Sequence, residues 1–420
     1  MKLNLILPLL ILSFSAVFAQ KPIAFVREDD HWNLITQNET LVFNNSYDYV
    51  WANILDYWEP NIQKSIVCYP HENLFRFRDK NRWGFMDLSG KIVIEAKYRD
   101  AQDFKNGFAV IAIDNGFGYI DKLGRPLSEP NFGTALPFSE SRGLVLSVNK
   151  WTYIDTTGKY ITALKFKDAF PFHEGFATVK TKGSWGIIDK NGKWLVEPLY
   201  QAISNFSNGF AAIEYKGKWG FVDVKGKIIV EPQYDEVRDF KENMAAVSNS
   251  SQWGFIDNTG KLVIAIQYKI AHDFIEGMAV VNAGDFFGAL NRNGEPQIPF
   301  KYKKITDCKE GILRIRDEAL WGFVTSDGVI LKEPIFQSAE DFSEGLARVK
   351  LIDKWGYIDK SGAIPIDIKF DGAGDFHCGF ARVKVDGRWG FIDKSGKFVI
   401  KPKYRNVQDF IMVGPNLTGF

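Results

Sequence analysis

Cysteine is scarce: the 420 residues hold three, Cys68, Cys308 and Cys378. So sparse and odd a set is no disulfide framework, even in an oxidising compartment. None has a Cys or His neighbour at metal-ligand spacing. The five histidines, His31, His71, His173, His272 and His377, are scattered singly, so no zinc site is expected. An excess of one charge is also missing. Lys plus Arg total 52 and Asp plus Glu 51, for a net charge of +1, whereas nucleic-acid binders carry a basic surplus. No nucleic acid is expected as a partner. Nucleophile elbows of the form G-x-S-x-G and phosphate-cradling G-x-x-x-x-G-K-[ST] loops are absent, so the sequence offers no catalytic residues and no cofactor site.

Long apolar runs are confined to the start. In MKLNLILPLLILSFSAVFAQ, Lys2 precedes an apolar run from Leu3 to Leu12, and Val17 and Ala19 stand at −3 and −1 of a cut before Gln20. This is the pattern of a secretory signal peptide, residues 1–19, and the run is too short to span a bilayer. The mature chain is expected outside the cytoplasm, periplasmic or secreted, with no integral membrane segment.

What the chain has in quantity is repetition. Trp83, Phe117, Trp151, Trp185, Trp219, Trp253, Phe287, Trp321, Trp355 and Trp389 follow one another at steps of 34 residues. Gly follows this anchor in every unit except at Thr152. Asp stands four residues after it in eight of the ten units, with Asn291 and Thr325 departing. Gly stands seven after it everywhere, and an aromatic fifteen after, from Tyr98 to Tyr404. A Phe stands twenty-one after it except at Cys308. Ten equal copies of an Asp column are the opposite of an asymmetric catalytic site, and with Gly three residues on, the Asp reads as a turn residue.

One unit, FARVKVDGRWGFIDKSGKFVIKPKY (380–404), shows what these columns do. Asp386-Gly387 suits a two-residue hairpin, and Asp393-Lys394-Ser395-Gly396 a type I turn closed by a left-handed Gly. Between them Arg388–Asp393 reads as a strand, apolar on both faces and therefore covered by neighbours on two sides. Pro402 weakens ladder pairing in the strand that follows. Each unit is thus expected to be a three-stranded antiparallel meander, joined to the next by a link such as 405–409. Trp83, Trp151, Trp185, Trp219, Trp253, Trp321, Trp355 and Trp389 read as the packing hub between units rather than as a ladder of sugar platforms. Phe at 117 and 287 keeps the bulk and discards the indole N–H.

The ends differ. Ile23–Val26 and Trp32–Phe43 resemble a degraded first unit, with about half a unit of extra sequence before Trp83. Residues 20–82 read as an N-terminal cap with an insertion, 83–410 as the array and 411–420 as a tail. Within 46–82, Tyr47, Tyr49, Trp51, Tyr57 and Trp58 form the one irregular aromatic stretch. It is a candidate binding patch, with a hydrophobic cap as the plainer reading.

The segments RWGFIDKSGKFVIKPKY (388–404), KWGFVDVKGKIIVEPQY (218–234) and RWGFMDLSGKIVIEAKY (82–98) resemble the WG-repeat family of bacterial proteins. The resemblance covers about residues 75 to 410. It implies a β-repeat fold without general enzymatic activity, and carries over no catalytic residues. The expected architecture is an all-β array, as an open superhelix or, alternatively, a closed propeller-like ring. The open form is favoured because ten units exceed the usual blade count and three strands fall short of four. The expected function is non-catalytic binding or scaffolding of another protein. Carbohydrate or cell-wall binding is the alternative, and a hydrolase with its site in 46–82 the remote one.

Overall fold

The computed structural model describes residues 21–28, 31–39, 49–51, 72–87, 91–127, 129 and 131–413. The leader, the proposed cut before Gln20, and Tyr47, Tyr57 and Trp58 lie outside them. Among the described residues every regular element is a strand.

The strands form eleven small antiparallel sheets, arranged as the blades of a propeller. In the Trp219 blade the meander runs Phe210–Tyr215, Lys218–Asp223 and Ile228–Tyr234. A further strand precedes these: Ala202–Ile203, which pairs with Glu214 and Ile213. Most blades therefore have four strands. The extra one hides in the expected link between units, where two residues suffice to dock an Ala, Ile or Val at the position eighteen after each anchor, buried in every unit except at the half-buried Val237.

The turns follow the sequence. Asp223 Oδ1 accepts the backbone N–H groups of Lys225 and Lys227, both at 2.9 Å. Gly226 closes the turn at φ +80°, and a Cβ there would lie 2.8 Å from the Leu195 carbonyl oxygen of the preceding blade. The Gly after the anchor has a different duty. A Cβ on Gly220 would lie 2.2 Å from the Val230 carbonyl oxygen, because the fourth strand bulges across it. Pro232 sits within that bulged strand, and pairing resumes at Trp219–Tyr234, so proline displaces the ladder locally without ending it. In the Phe117 and Trp151 units the fourth segment meets the third only at isolated bridges, Phe117–Phe132 and Ile120–Pro126 in one and Trp151–Phe166 and Ile154–Tyr160 in the other.

The array is closed, which corrects the preference for an open superhelix. Lys21–Glu28 and His31–Thr36 pair with each other and complete a blade begun by Asn406–Val407. Ile411–Val413 adds to the same strand, with Ile23 opposite Ile411. Backbone bonds seal it: Gln408 N–H donates to the Phe25 carbonyl at 2.8 Å and Arg405 N–H to the Arg27 carbonyl at 3.1 Å. Ala24, Val26 and Ile35 join Phe391, Ile400 and Tyr404 of the last complete blade in one core cluster. On the other side Phe25 meets Phe75 edge-on, 5.9 Å between centroids. An open array would leave both of these apolar faces in water; closure buries them and removes the free ends.

Candidate binding surface

Strand direction alternates within a blade, so the turns sort onto two rims. The hairpins between second and third strands fall on one rim, with the links from fourth strand to next blade. The Asp-Gly turns fall on the other, with the turns that precede each second strand.

The second rim carries a ring of carboxylates not foreseen from sequence. Glu276, Glu310 and Glu344 each stand at positive φ, or accept bonds from a residue that does, in consecutive blades. Glu310 accepts the backbone N–H groups of Glu344 and Gly345 at 2.8 and 3.1 Å, and Glu344 in turn those of Cys378 and Gly379 at 2.6 and 2.9 Å. A lysine of a later turn closes each clasp, Lys360 on Glu310 at 3.1 Å and Lys394 on Glu344 at 3.2 Å. Burial alone would raise the Glu310 carboxyl. The Lys360 ammonium and the two N–H donors outweigh it and hold that carboxyl below the usual range. The signal was present: Glu stands eleven residues before the anchor in seven of ten units. Cys308, beside Glu276, is pushed up to about 12 by burial and by that carboxylate, which keeps the thiol protonated.

On the first rim stands the Trp column. Each Trp is half-buried against a core cluster, while the ring two residues on is fully buried, as with Phe85, Phe221, Phe255 and Phe323. A cation lies over most of the indoles: Lys180 over Trp185 at 5.2 Å, Arg238 over Trp253 at 5.4 Å and Arg348 over Trp355 at 5.3 Å. The packing centre is thus shared between Trp and the following aromatic, with the indole edge left towards solvent.

Seams between blades come in two kinds. Arg76, Arg314, Arg348 and Arg382 reach Asp103, Asp341, Asp375 and Asp409 of the next blade at 2.6, 2.7, 2.8 and 3.0 Å. Arg348 also donates to the Ala373 carbonyl at 2.8 Å, and Arg382 to that of Val407 at 3.1 Å. At the matching place the other units carry Val110, Leu144, Thr178, Ala212, Ala246 and Val280. His272 meets Asp307 at 2.7 Å in that second set, and burial pushes the Asp273 carboxyl up.

One stretch of the first rim stands apart. The aromatic fifteen residues after the anchor is buried in nine units, but Tyr200 is only half-buried. Next to it the rings run on across two blades. Phe170, 43% exposed, stacks on Trp185 with centroids 5.4 Å apart. Trp185 is the strand partner of Tyr200, and Tyr200 meets Tyr215, 45% exposed, at 6.3 Å. Burial raises the Tyr200 hydroxyl, with Glu231 and Tyr215 adding to it. Sequence reading missed this strip although Phe170 and Tyr215 are the only Phe, Tyr or Trp residues in their repeat columns, because residue type does not show which rings the neighbouring blades leave uncovered. Of the stretch singled out from sequence, Tyr49–Trp51 forms a short strand opposite Arg78, Phe77 and Arg76, as the first strand of the Trp83 blade.

No group of three His, Cys, Asp or Glu side chains among the described residues is arranged to hold a metal ion. Among the described residues no helix is long and apolar enough to cross a membrane.

Solved structures similar to this chain include a eukaryotic initiation factor, at 11% identity and a TM-score of 0.40, over 74% of this chain and 95% of that one. Hsv2p of Kluyveromyces lactis is similar at 14% identity and a TM-score of 0.30, over 55% and 94%. The extracellular domain of the hybrid two-component system BT3049 from B. thetaiotaomicron is similar at 11% identity and a TM-score of 0.23, over 96% and 66%. No curated protein sequence matches the chain. The WG containing repeat matches it in ten consecutive segments, from 83–116 through 219–251 to 389–411. With its repeats, its Asp-Gly turns and its matched segments in agreement, the chain belongs to the WG-containing repeat family.

Proposed function

We propose that this protein is a non-catalytic binding scaffold that works outside the cytoplasm and holds another protein against its hairpin rim. The observation that carries the reading is the strip Phe170–Trp185–Tyr200–Tyr215. Rigid aromatic side chains left partly in water, beside charged residues, have the composition of protein interaction hot spots. The N-terminal leader pattern supports the location. The even repetition of Asp and Glu in turn and clasp roles supports a scaffold rather than an enzyme.

The test is capture from the native envelope fraction, read by mass spectrometry, with wild type beside a Phe170→Ser/Tyr215→Ser variant. A protein retained by wild type and lost by the variant is expected. Retention of a glycan on an array, with no protein captured, would replace this reading with carbohydrate binding. N-terminal sequencing of the exported protein is expected to begin at Gln20.

A further inference from the structure

The reading just given says that the rim binds a protein; the charge around the strip says of what kind. Lys180 and Lys216 lie over two of the rings, Lys167 and Lys182 lie near them along the same strands and hairpin, and among the described residues none of the four has an ion-pair partner. Lys180 lies over the Trp185 ring at 5.2 Å and Lys216 over Tyr215 at 5.3 Å. Lys182 and Lys216 occupy hairpin tips at φ +49° and +51° and are exposed. Lys218, opposite Tyr215 in the same hairpin as Lys216, is paired with Asp235 at 2.5 Å; on other hairpins Lys350 pairs with Asp353 at 3.1 Å and Arg82 with Asp114 at 3.9 Å, whereas Lys303, over the Phe286 ring at 4.2 Å, has no ion pair among the described residues. Asp168, opposite Lys180, and Glu214 share the strand rows of the strip, and Glu231 acts on the Tyr200 hydroxyl, so three carboxylates stand among these lysines. The strip is therefore an apolar ledge whose hairpin tips carry exposed lysines without ion-pair partners among the described residues.

We infer that this ledge takes an acidic polypeptide segment: an apolar or aromatic side chain lies on Phe170 and Tyr215, and flanking Asp or Glu side chains meet Lys182 and Lys216. This rests on the protein-binding reading above. Each lysine supplies a point charge at the lip, and the rings supply the desolvated centre, the arrangement that gives an interface its anchor and its steering.

The experiment uses the full mature chain and short labelled synthetic peptides, with binding followed by fluorescence anisotropy. One set is rich in Asp and Glu around a single Leu or Phe. A second replaces the acids with Lys, a third replaces the apolar residue with Ser, and polygalacturonate serves as a polyanionic glycan. The acidic set with its anchor is expected to bind, and raising the salt to weaken it. K182E/K216E and F170S/Y215S should each lose about tenfold or more, about 1.4 kcal/mol. The exposed positions should leave the melting temperature unchanged. If either variant misfolds, K182Q/K216Q carries the same prediction. Equal binding of acidic and basic peptides, or a preference for polygalacturonate over every peptide, would overturn the assignment. Capture of an envelope protein that F170S/Y215S loses but K182E/K216E keeps would also overturn it, while leaving the scaffold reading intact.

Discussion

The Arg348 seam and the Leu144 seam occupy the same place in the repeat and are made of opposite materials. Arg348 crosses to the next blade as an ion pair with Asp375 and a bond to the Ala373 carbonyl. Leu144 lies in a core cluster with Phe166, Phe172 and Ile188, and Pro171 stands where Asp375 stands in the other seam. Val110, Ala212, Ala246 and Val280 belong to similar clusters. One backbone thus tolerates both a charged and an apolar joint. The charged joints gather near the closure, at Arg314, Arg348 and Arg382 on one side of the closing blade and Arg76 on the other. A charge pair depends on both members, whereas an apolar joint loses only the atoms removed.

A deletion common to both arcs sets the scale. Phe221→Ala, which removes a fully buried ring, should cost about 3–5 kcal/mol in chemical denaturation. Trp219→Ala should cost less, since its indole is half in water. An equal cost for the two would return the packing hub to the Trp column alone. Next, Arg382→Ala should cost about 3–5 kcal/mol at neutral pH, because Asp409, whose side chain is only 2% exposed, is left without its cation. Arg348→Leu with Asp375→Pro, which transplants the apolar seam into the charged arc, should stay within about 2 kcal/mol of wild type. A loss larger than that of Arg348→Leu alone would show that the two arcs are not interchangeable.

The smallest effect belongs to the Glu clasps. Glu310→Gln keeps the shape and gives up the charge, and should cost about 1–2 kcal/mol. The clasp carboxyls of Glu140, Glu242, Glu276 and Glu310 are ionised to lower pH in the folded ring, because hydrogen bonds and neighbouring cations outweigh burial. Their contribution is therefore complete above the ordinary carboxyl pKa of about 4.3 and fades as pH falls through the lower folded value. Melting temperature should fall over that acid range, and less steeply in Glu310→Gln.

Much of this was legible in the sequence. The step of the repeat, the Asp223 and Gly226 turn and the antiparallel meander all follow from local spacing, because turn chemistry acts over a few residues. The first strand of each blade was not legible: two residues such as Ala202–Ile203 are too few to show a period. Closure was not legible either. Trp32 and its neighbours read as a worn unit, with Glu39 at φ +57° in the place of the turn Gly. Their partners, however, lie at the far end of the chain, where Lys403 and the Tyr404 hydroxyl reach Glu39 at 2.7 and 3.3 Å. The exposed strip at Phe170 to Tyr215 depends on what neighbouring blades fail to cover, and residue type alone does not reveal that.

Ring closure is the claim on which the rest depends, and small-angle X-ray scattering of the mature monomer tests it most directly. The account predicts the profile of a compact, disc-like particle, which Val26→Pro, by obstructing the strand that pairs with Val407, should open or expand. An elongated envelope for the wild-type monomer would contradict it.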